Sequence, residues 1–150
     1  MKIAVGSDHG GFPLKETVIK TVQDAGHEVI DLGVHAETRV DFPDYAVLIG
    51  RAIQNGEADR GIAICGSGVG MCIAVNKMRG VYGSVCHDTY LAHQGVEHDD
   101  MNVLCLGARI IGVEVAKEIV TAFLGAEFST EERHRRRVGK IRVLEAKNKQ

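Results

Sequence analysis

"GIAICGSGVGMCIAVNK", residues 61–77, decides the fold. An apolar run from Gly61 to Ile64 ends in Cys65, and glycines follow at 66, 68 and 70. A short apolar run closed by turn residues reads as a buried strand. The residues after the glycines carry no breaker and read as a helix to about Lys77. Strand, glycine turn and helix make one βα unit, a unit that offers backbone N–H groups to anions. Two readings of Cys65 stay open on this stretch alone. It is either a small buried hydrophobe ending a strand or a reactive group aimed at what the loop holds.

The same unit recurs on both sides. Lys2–Val5 reads as a strand, followed by a helix from Pro13 to about Ala25 whose apolar face is Leu14, Val18, Ile19 and Val22. Glu28–Leu32 is a second strand, with a helix from about Asp44 to Asn55 after a polar stretch. Beyond the glycine turn come a strand at Val81–Cys86, a short helix at Asp88–Glu97 and a strand at Val103–Leu106. Helices at Gly112–Leu124 and about 130–147 close the chain. Five short strands, each followed by a helix, predict the α/β class: a five-stranded parallel sheet with helices on both faces. No repeat or linker interrupts the pattern, so residues 1–150 are expected to form one domain.

Ligands of such sheets bind beyond the carboxyl ends of the strands. Strand ends and helix ends therefore nominate Ser7-Asp8-His9, Cys65-Gly66-Ser67, His87, His98-Asp99-Asp100 and Gly107-Ala108-Arg109, expected to converge on one rim. The glycine turn fails the nucleotide patterns. A dinucleotide fingerprint starting at Gly66 needs glycine at position 71, which is Met, and no Gly-Lys-Ser/Thr triplet follows. The cysteine-phosphatase arrangement needs an arginine at the same position 71. What remains is a nest of N–H groups beside a thiol. It suits an oxyanion formed by proton abstraction next to a carbonyl, and it suits acyl chemistry equally.

The bulk numbers exclude several classes. No apolar stretch approaches the roughly 18 residues needed to span a membrane. The apolar run in MKIAVGSDHG is too short for a secretory signal, and a cytoplasmic protein is expected. Cys65, Cys72, Cys86 and Cys105 are spaced by 7, 14 and 19 residues, so no CxxC pair exists. The last three are expected to be buried free thiols. No metal-ligand spacing is present, and no metal or cofactor is expected.

Charge is uneven. Residues 131–150 carry a net of +5, against −7 for the rest of the chain. In helical phase Val138, Ile141 and Leu144 share a face with Arg133, His134 and Arg137, whereas Arg135 and Arg136 point away. An apolar docking face that continues into two arginines and a histidine reads as a clamp for a small anion, phosphate above all. A solvated helix or a nucleic-acid patch is the alternative. A terminal helix with little of its own domain left to pack on also suggests a homodimer.

"GSDHGG" at 6–11, "DFPDYA" at 41–46, "ICGSGVGMCIAVNK" at 64–77, "EHDDMNVLCLGARIIG" at 97–112 and "RHRRRVGKI" at 133–141 together resemble the ribose-5-phosphate isomerase B family. The resemblance runs in order over nearly the whole chain. It implies a Rossmann-like three-layer α/β/α sandwich. It implies a homodimer, or a dimer of dimers, with shared active sites and a C-terminal helix docked on the partner subunit. The implied activity is metal-independent interconversion of an aldose phosphate and a ketose phosphate, ribose 5-phosphate and ribulose 5-phosphate, through a cis-enediolate. Carried over by motif, Cys65 resembles the base that moves the proton between C1 and C2. Members that use a glutamate carry it where this chain has Met71. Ser67 would assist proton relay, and His98 would open the furanose ring. The loop residues Gly66, Gly68, Val69 and Gly70 would contact substrate, with the N–H groups of Ser67, Gly68 and Gly70 on the enediolate oxygen. Asp8, His9 and Tyr45 would contact the sugar, and Arg109, Arg133, His134 and Arg137 the phosphate.

Asp99 stands where the family usually has Asn. Asn can donate to a sugar oxygen, but ionised Asp only accepts. The same chemistry on a tetrulose 4-phosphate, allose 6-phosphate or galactose 6-phosphate is therefore the first alternative. A non-catalytic phosphate- or nucleotide-binding module is the alternative of another class. No nucleic-acid or membrane partner is expected.

Overall fold

Strands β1 (Lys2–Ser7), β3 (Arg60–Cys65) and β5 (Val103–Gly107) are apolar along almost their whole length because both of their faces are covered. They form the centre of a five-stranded, all-parallel sheet in the computed structural model, which describes residues 1–148. Lys149, counted above in the basic tail, lies outside the described residues. Edge strands β2 (Glu28–Asp31) and β4 (Gly83–Val85) complete the order β2-β1-β3-β5-β4.

The direction of each crossover sets the layer of each helix, because parallel strands are joined right-handedly. Helices α1 (Phe12–Asp24), α4 (Thr89–Asp99) and α5 (Val113–Gly125) cover one face. Val18, Val22, Val96, Ile119 and Phe123 bury Ile3, Val5, Ile62, Ile64, Leu104 and Leu106 there. Helices α2 (Phe42–Gln54) and α3 (Val69–Val75) cover the other. Ala46, Ile49, Met71 and Val75 pack on Ala4, Ala63, Val103 and Cys105. The result is the expected three-layer α/β sandwich. The chain leaves β1 for β2 on one side and returns to β3 on the other. The switch point therefore lies between β1 and β3, where the loops after the two strands part.

Three features stand out against the sequence expectation, two element boundaries and one burial pattern, each for a local reason. Strand β4 does not include Val81 and Tyr82. Side-chain amides take their place in the ladder: Asn102 Oδ1 accepts from the Tyr82 N–H at 2.8 Å, and Asn76 Oδ1 from the Gly83 N–H at 3.0 Å. Helix α4 runs on past Glu97 to Asp99, because Asp100 itself adopts the left-handed capping conformation, φ 55°, that glycine usually supplies. Asp88 caps its start by accepting from the Leu91 N–H at 2.8 Å.

The third difference concerns helix α6 (Glu132–Lys147). Only His134 and Val138 of its expected docking face are buried, whereas Ile141 and Leu144 are 44% and 61% exposed. The helix leans on α4 through its first half, and Arg142 bonds Asp100 at 2.6 Å. Further along, Glu145 accepts from the Gly80 N–H at 2.8 Å and the Tyr82 hydroxyl at 3.2 Å. Ile141, Val143 and Leu144, beyond Val138, are therefore only partly covered by the described residues of their own chain.

Candidate active site

The turns at the carboxyl end of the sheet fit together through glycines. A Cβ on Gly11 would lie 2.2 Å from the Ile64 carbonyl oxygen, so the β1–α1 turn can lie against the end of β3 only without a side chain. Within that turn Asp8 is buried, and its Oδ1 accepts from the Gly11 N–H at 2.9 Å. His9 follows, and its Nδ1 accepts from the Val40 N–H at 3.3 Å, which ties down the segment before α2. His9 and Tyr45 line a cavity of about 780 Å³ with Leu32, Val40 and Leu48. That volume is within the range of small-molecule sites.

Cys65 closes β3 beside this turn. It is 5% exposed, and its Sγ accepts from the Gly68 N–H at 3.0 Å. Gly68 sits at φ 82°, which lets the loop fold back over the sulfur. The Gly68 N–H is thereby engaged with the thiol rather than open to a substrate oxygen. Ser67 and Val69 are exposed on the loop, and the Val69 N–H donates to Ser67 Oγ at 3.3 Å. Gly70 lies under the ring of Phe42. Arg109 is held beside the loop: its N–H donates to the Gly66 carbonyl at 3.0 Å, and its guanidinium lies over Gly66. Met71 is fully buried in the core, so position 71 contributes packing here. His87, nominated from its place just after β4, also reaches this rim, where its Nε2 accepts from the Gly107 N–H at 3.0 Å.

The remaining nominated residues are not on this rim, which corrects the expectation of one convergent set. Helix α4 runs back from the carboxyl end of β4 to the amino end of β5, and its last residues share that amino end. The Gly61 N–H at the start of β3 donates to the carbonyl of Asn102, four residues after His98, whereas Cys65 is at the other end of β3. Five residues of strand separate the ends by about 16 Å. His98 and Asp99 were misplaced because the end of the helix after β4 was taken as part of the rim, whereas a helix joining two parallel strands ends at the amino end of the second.

At the amino end a second cluster forms. The His98 ring stacks on His134 of α6, with centroids 4.0 Å apart and planes 20° apart. Gln94 Nε2 lies 3.0 Å from His98 Nδ1, and with that amide donating, the neutral ring carries its proton on Nε2. His134 is buried, and its Nδ1 has no partner among the described residues. Burial first, then the charges of His98 and Arg133, hold its pKa below the usual imidazole value, with Glu131 opposing. Arg133 and Arg137 are exposed at the same end of α6, and Arg133 bonds Glu131 at 2.9 Å. Asp99 lines a different groove, with Tyr82, Ser84 and Ile141. One chain thus carries a thiol, an anion cradle and one arginine at one end, and two imidazoles and two arginines at the other.

At the switch point of this parallel α/β sheet stands a thiol beside a glycine turn that lacks a nucleotide fingerprint, an arrangement that suits a small-molecule enzyme. The chain belongs to the Ribose/Galactose Isomerase family, which it matches over residues 3–141. It is 45% identical to ribose-5-phosphate isomerase B of Escherichia coli over 144 residues, 96% of each chain. It is 42% identical to the D-erythrulose-4-phosphate isomerase of Pectobacterium atrosepticum over 130 residues, 85% of each chain. The solved ribose-5-phosphate isomerase B of Clostridium thermocellum superposes with a TM-score of 0.95 at 46% identity, covering 99% of this chain and all of that one.

Proposed function

We propose that the chain interconverts ribose 5-phosphate and ribulose 5-phosphate, in a homodimer whose active sites each take one end of the sheet from each subunit. The observation that carries this reading is the Cys65 sulfur at the mouth of the glycine loop, 3.0 Å from the Gly68 N–H, at the switch point of the sheet. Cys65 removes the proton next to the carbonyl and returns it to the neighbouring carbon. The Gly68 N–H steadies the sulfur as it gains and loses charge. The N–H groups of Ser67 and Gly70 receive the enediolate oxygen, and the Ser67 hydroxyl relays the proton between the two sugar oxygens. Asp8, His9 and Tyr45 orient the chain of hydroxyls.

His98 of the second subunit opens the ring, and Arg133 and Arg137 of that subunit join Arg109 on the phosphate. His134, buried under His98, supports that ring; its unpartnered Nδ1 and its depth suit this better than direct contact with phosphate. The exposed Ile141 and Leu144 are the residues a second copy would cover. The arginines of α6 then serve a phosphate rather than nucleic acid. Among the described residues no helix is long and apolar enough to cross a membrane, and four unpaired thiols suit a reducing compartment such as the cytoplasm.

A tetrulose 4-phosphate is the second reading, favoured by the Pectobacterium relative and by Asp99 in place of Asn. Turnover of purified protein on four-, five- and six-carbon aldose and ketose phosphates tests both. Ribose 5-phosphate as the best substrate supports the first reading, and a four-carbon substrate the second. Activity on none, or full activity in Cys65→Ala, overturns the mechanism.

A further inference from the structure

Among the described residues, Lys15 is the one buried charged side chain without a part in the reaction described above. It stands on the first turn of α1 and is 5% exposed. A cation gains nothing from the helix dipole there, since that end favours anions. Burying an ammonium is costly as well, and an apolar side chain of similar size often serves stability as well or better. What the ammonium supplies is direction. Its Nζ donates to Asp31 Oδ1 at 2.7 Å and to the Val34 carbonyl at 2.6 Å, so it holds the end of β2 and the turn beyond it together. Asp31 Oδ1 also accepts from the Gly33 N–H at 3.0 Å. Burial pushes the Asp31 carboxyl up, but the hydrogen bonds from Lys15 and Gly33 and the charges of Lys15 and His35 outweigh it and hold the acid below the usual carboxylate range.

The turn so held touches both parts of the sugar side of the candidate site. The Ser7 N–H donates to the Gly33 carbonyl at 2.7 Å, and the Ser7 carbonyl accepts from the Val34 N–H at 2.9 Å. Asp8 and His9 follow Ser7 directly. Gly33 also lies against the Tyr45 ring, where a Cβ would be 3.0 Å from Tyr45 Cε1. Lys15 comes from α1 and Tyr45 from α2, helices on opposite faces of the sheet, and the turn lies between them. Lys15 does not line the cavity of His9 and Tyr45. It borders a second hollow, of about 370 Å³, between α1 and the turn, with Phe12, Glu16 and Ile19. We propose that Lys15 is a positioning residue of the isomerisation. By pinning Asp31 and Val34 it sets the turn on which Tyr45 and the Ser7-Asp8-His9 stretch are aligned to the sugar. This rests on the isomerase reading above, and Lys15 itself touches no substrate.

The test compares the wild-type protein with Lys15→Met and with Lys15→Met combined with Asp31→Asn, on the sugar phosphate that the wild type turns over best. The second substitution removes the carboxylate left without its cation, so the double variant should melt closer to the wild type than the single one. In both, kcat/KM is expected to fall by about tenfold to a hundredfold, the cost of slightly misplaced binding groups. Hydrogen exchange at the Gly33 and Val34 amides should quicken in both, with the amides of β5 unchanged. In Lys15→Ala, propylamine replaces the part of the side chain that alanine lacks and should restore turnover, whereas propanol at the same concentration should not. Recovery of kcat/KM in the double variant along with its melting temperature would assign Lys15 to stability alone and overturn the proposal. Unchanged exchange at Gly33 and Val34, or a folded Lys15→Ala that propylamine rescues no better than propanol, would overturn it too. A wild-type protein that turns over no sugar phosphate would overturn the isomerase reading and the proposal with it; an active wild type matched by an equally active Lys15→Met would overturn the proposal alone.

Discussion

At the carboxyl end of the sheet the candidate site is made of turns; at the amino end it is made of helix faces. The turns are fixed by backbone contacts. Gly11 against Ile64, Gly68 at φ 82° and the Gly68 N–H on the Cys65 sulfur leave little freedom. The helix faces are open. Arg133 and Arg137 stand exposed, and the buried imidazole of His134 stacks on that of His98. Rigid turns suit a group that must stay aligned with two adjacent carbons, and mobile cations suit a phosphate that must enter and leave. The proposed reaction draws on both ends, which about 16 Å of strand keeps apart within one chain.

Breaking the turn end should have the largest effect. Cys65→Ala is expected to lower kcat by about 10²–10⁴-fold with little change in thermal stability, read from steady-state turnover beside a melting curve. A similar loss of stability in that variant would assign the residue to the core instead. Gly11→Ala should fail differently. Its new Cβ meets the Ile64 carbonyl oxygen at 2.2 Å, so the β1–α1 turn must move away from the end of β3. A loss of about 3 kcal/mol, seen as a melting temperature lower by about 10 °C, is expected. An unchanged melting curve would show that the close approach is dispensable.

The open end should respond in binding. Arg137→Ala and Arg133→Ala are each expected to raise KM about tenfold to a hundredfold and to leave kcat within a few-fold, since each loses a charge-assisted bond to phosphate. An effect on kcat alone would remove them from the clamp. The smallest effect concerns His134. Its pKa in the folded chain is below that of an unfolded imidazole, so the unfolded state takes up the proton first. Stability is therefore full above about pH 6.5 and falls as the pH drops below that value. The melting temperature should decline between pH 7 and pH 5, and less steeply in His134→Gln. Equal slopes would place the sensitivity elsewhere.

Much of this was legible in the chain. The apolar runs at Lys2–Val5, Gly61–Cys65 and Val103–Leu106 announced buried strands because both of their faces are covered. The glycine spacing after Cys65 announced a tight turn into a helix, because Gly68 takes a positive φ and Gly66 and Gly70 lie close against Arg109 and Phe42. Strand order was not legible, since nothing in β4 or β5 says that they exchange places in the sheet. The separation of His98 from Cys65 was legible but missed, because a helix joining two parallel strands must end at the amino end of the second, away from the end that carries Cys65. The face of α6 was read correctly in phase but not in depth. Periodicity places Ile141 beside Val138 without saying how much of it the rest of the chain covers.

The central claim is that one site is built from two chains, and mixing two dead variants tests it most directly. Cys65→Ala and His98→Ala, each inactive alone, should regain activity when unfolded together and refolded, or when co-expressed. A mixed dimer keeps one site with both groups intact, so random pairing should return about a quarter of the wild-type rate. A mixture that stays as inactive as its components, while size measurements show mixed dimers present, would contradict the account.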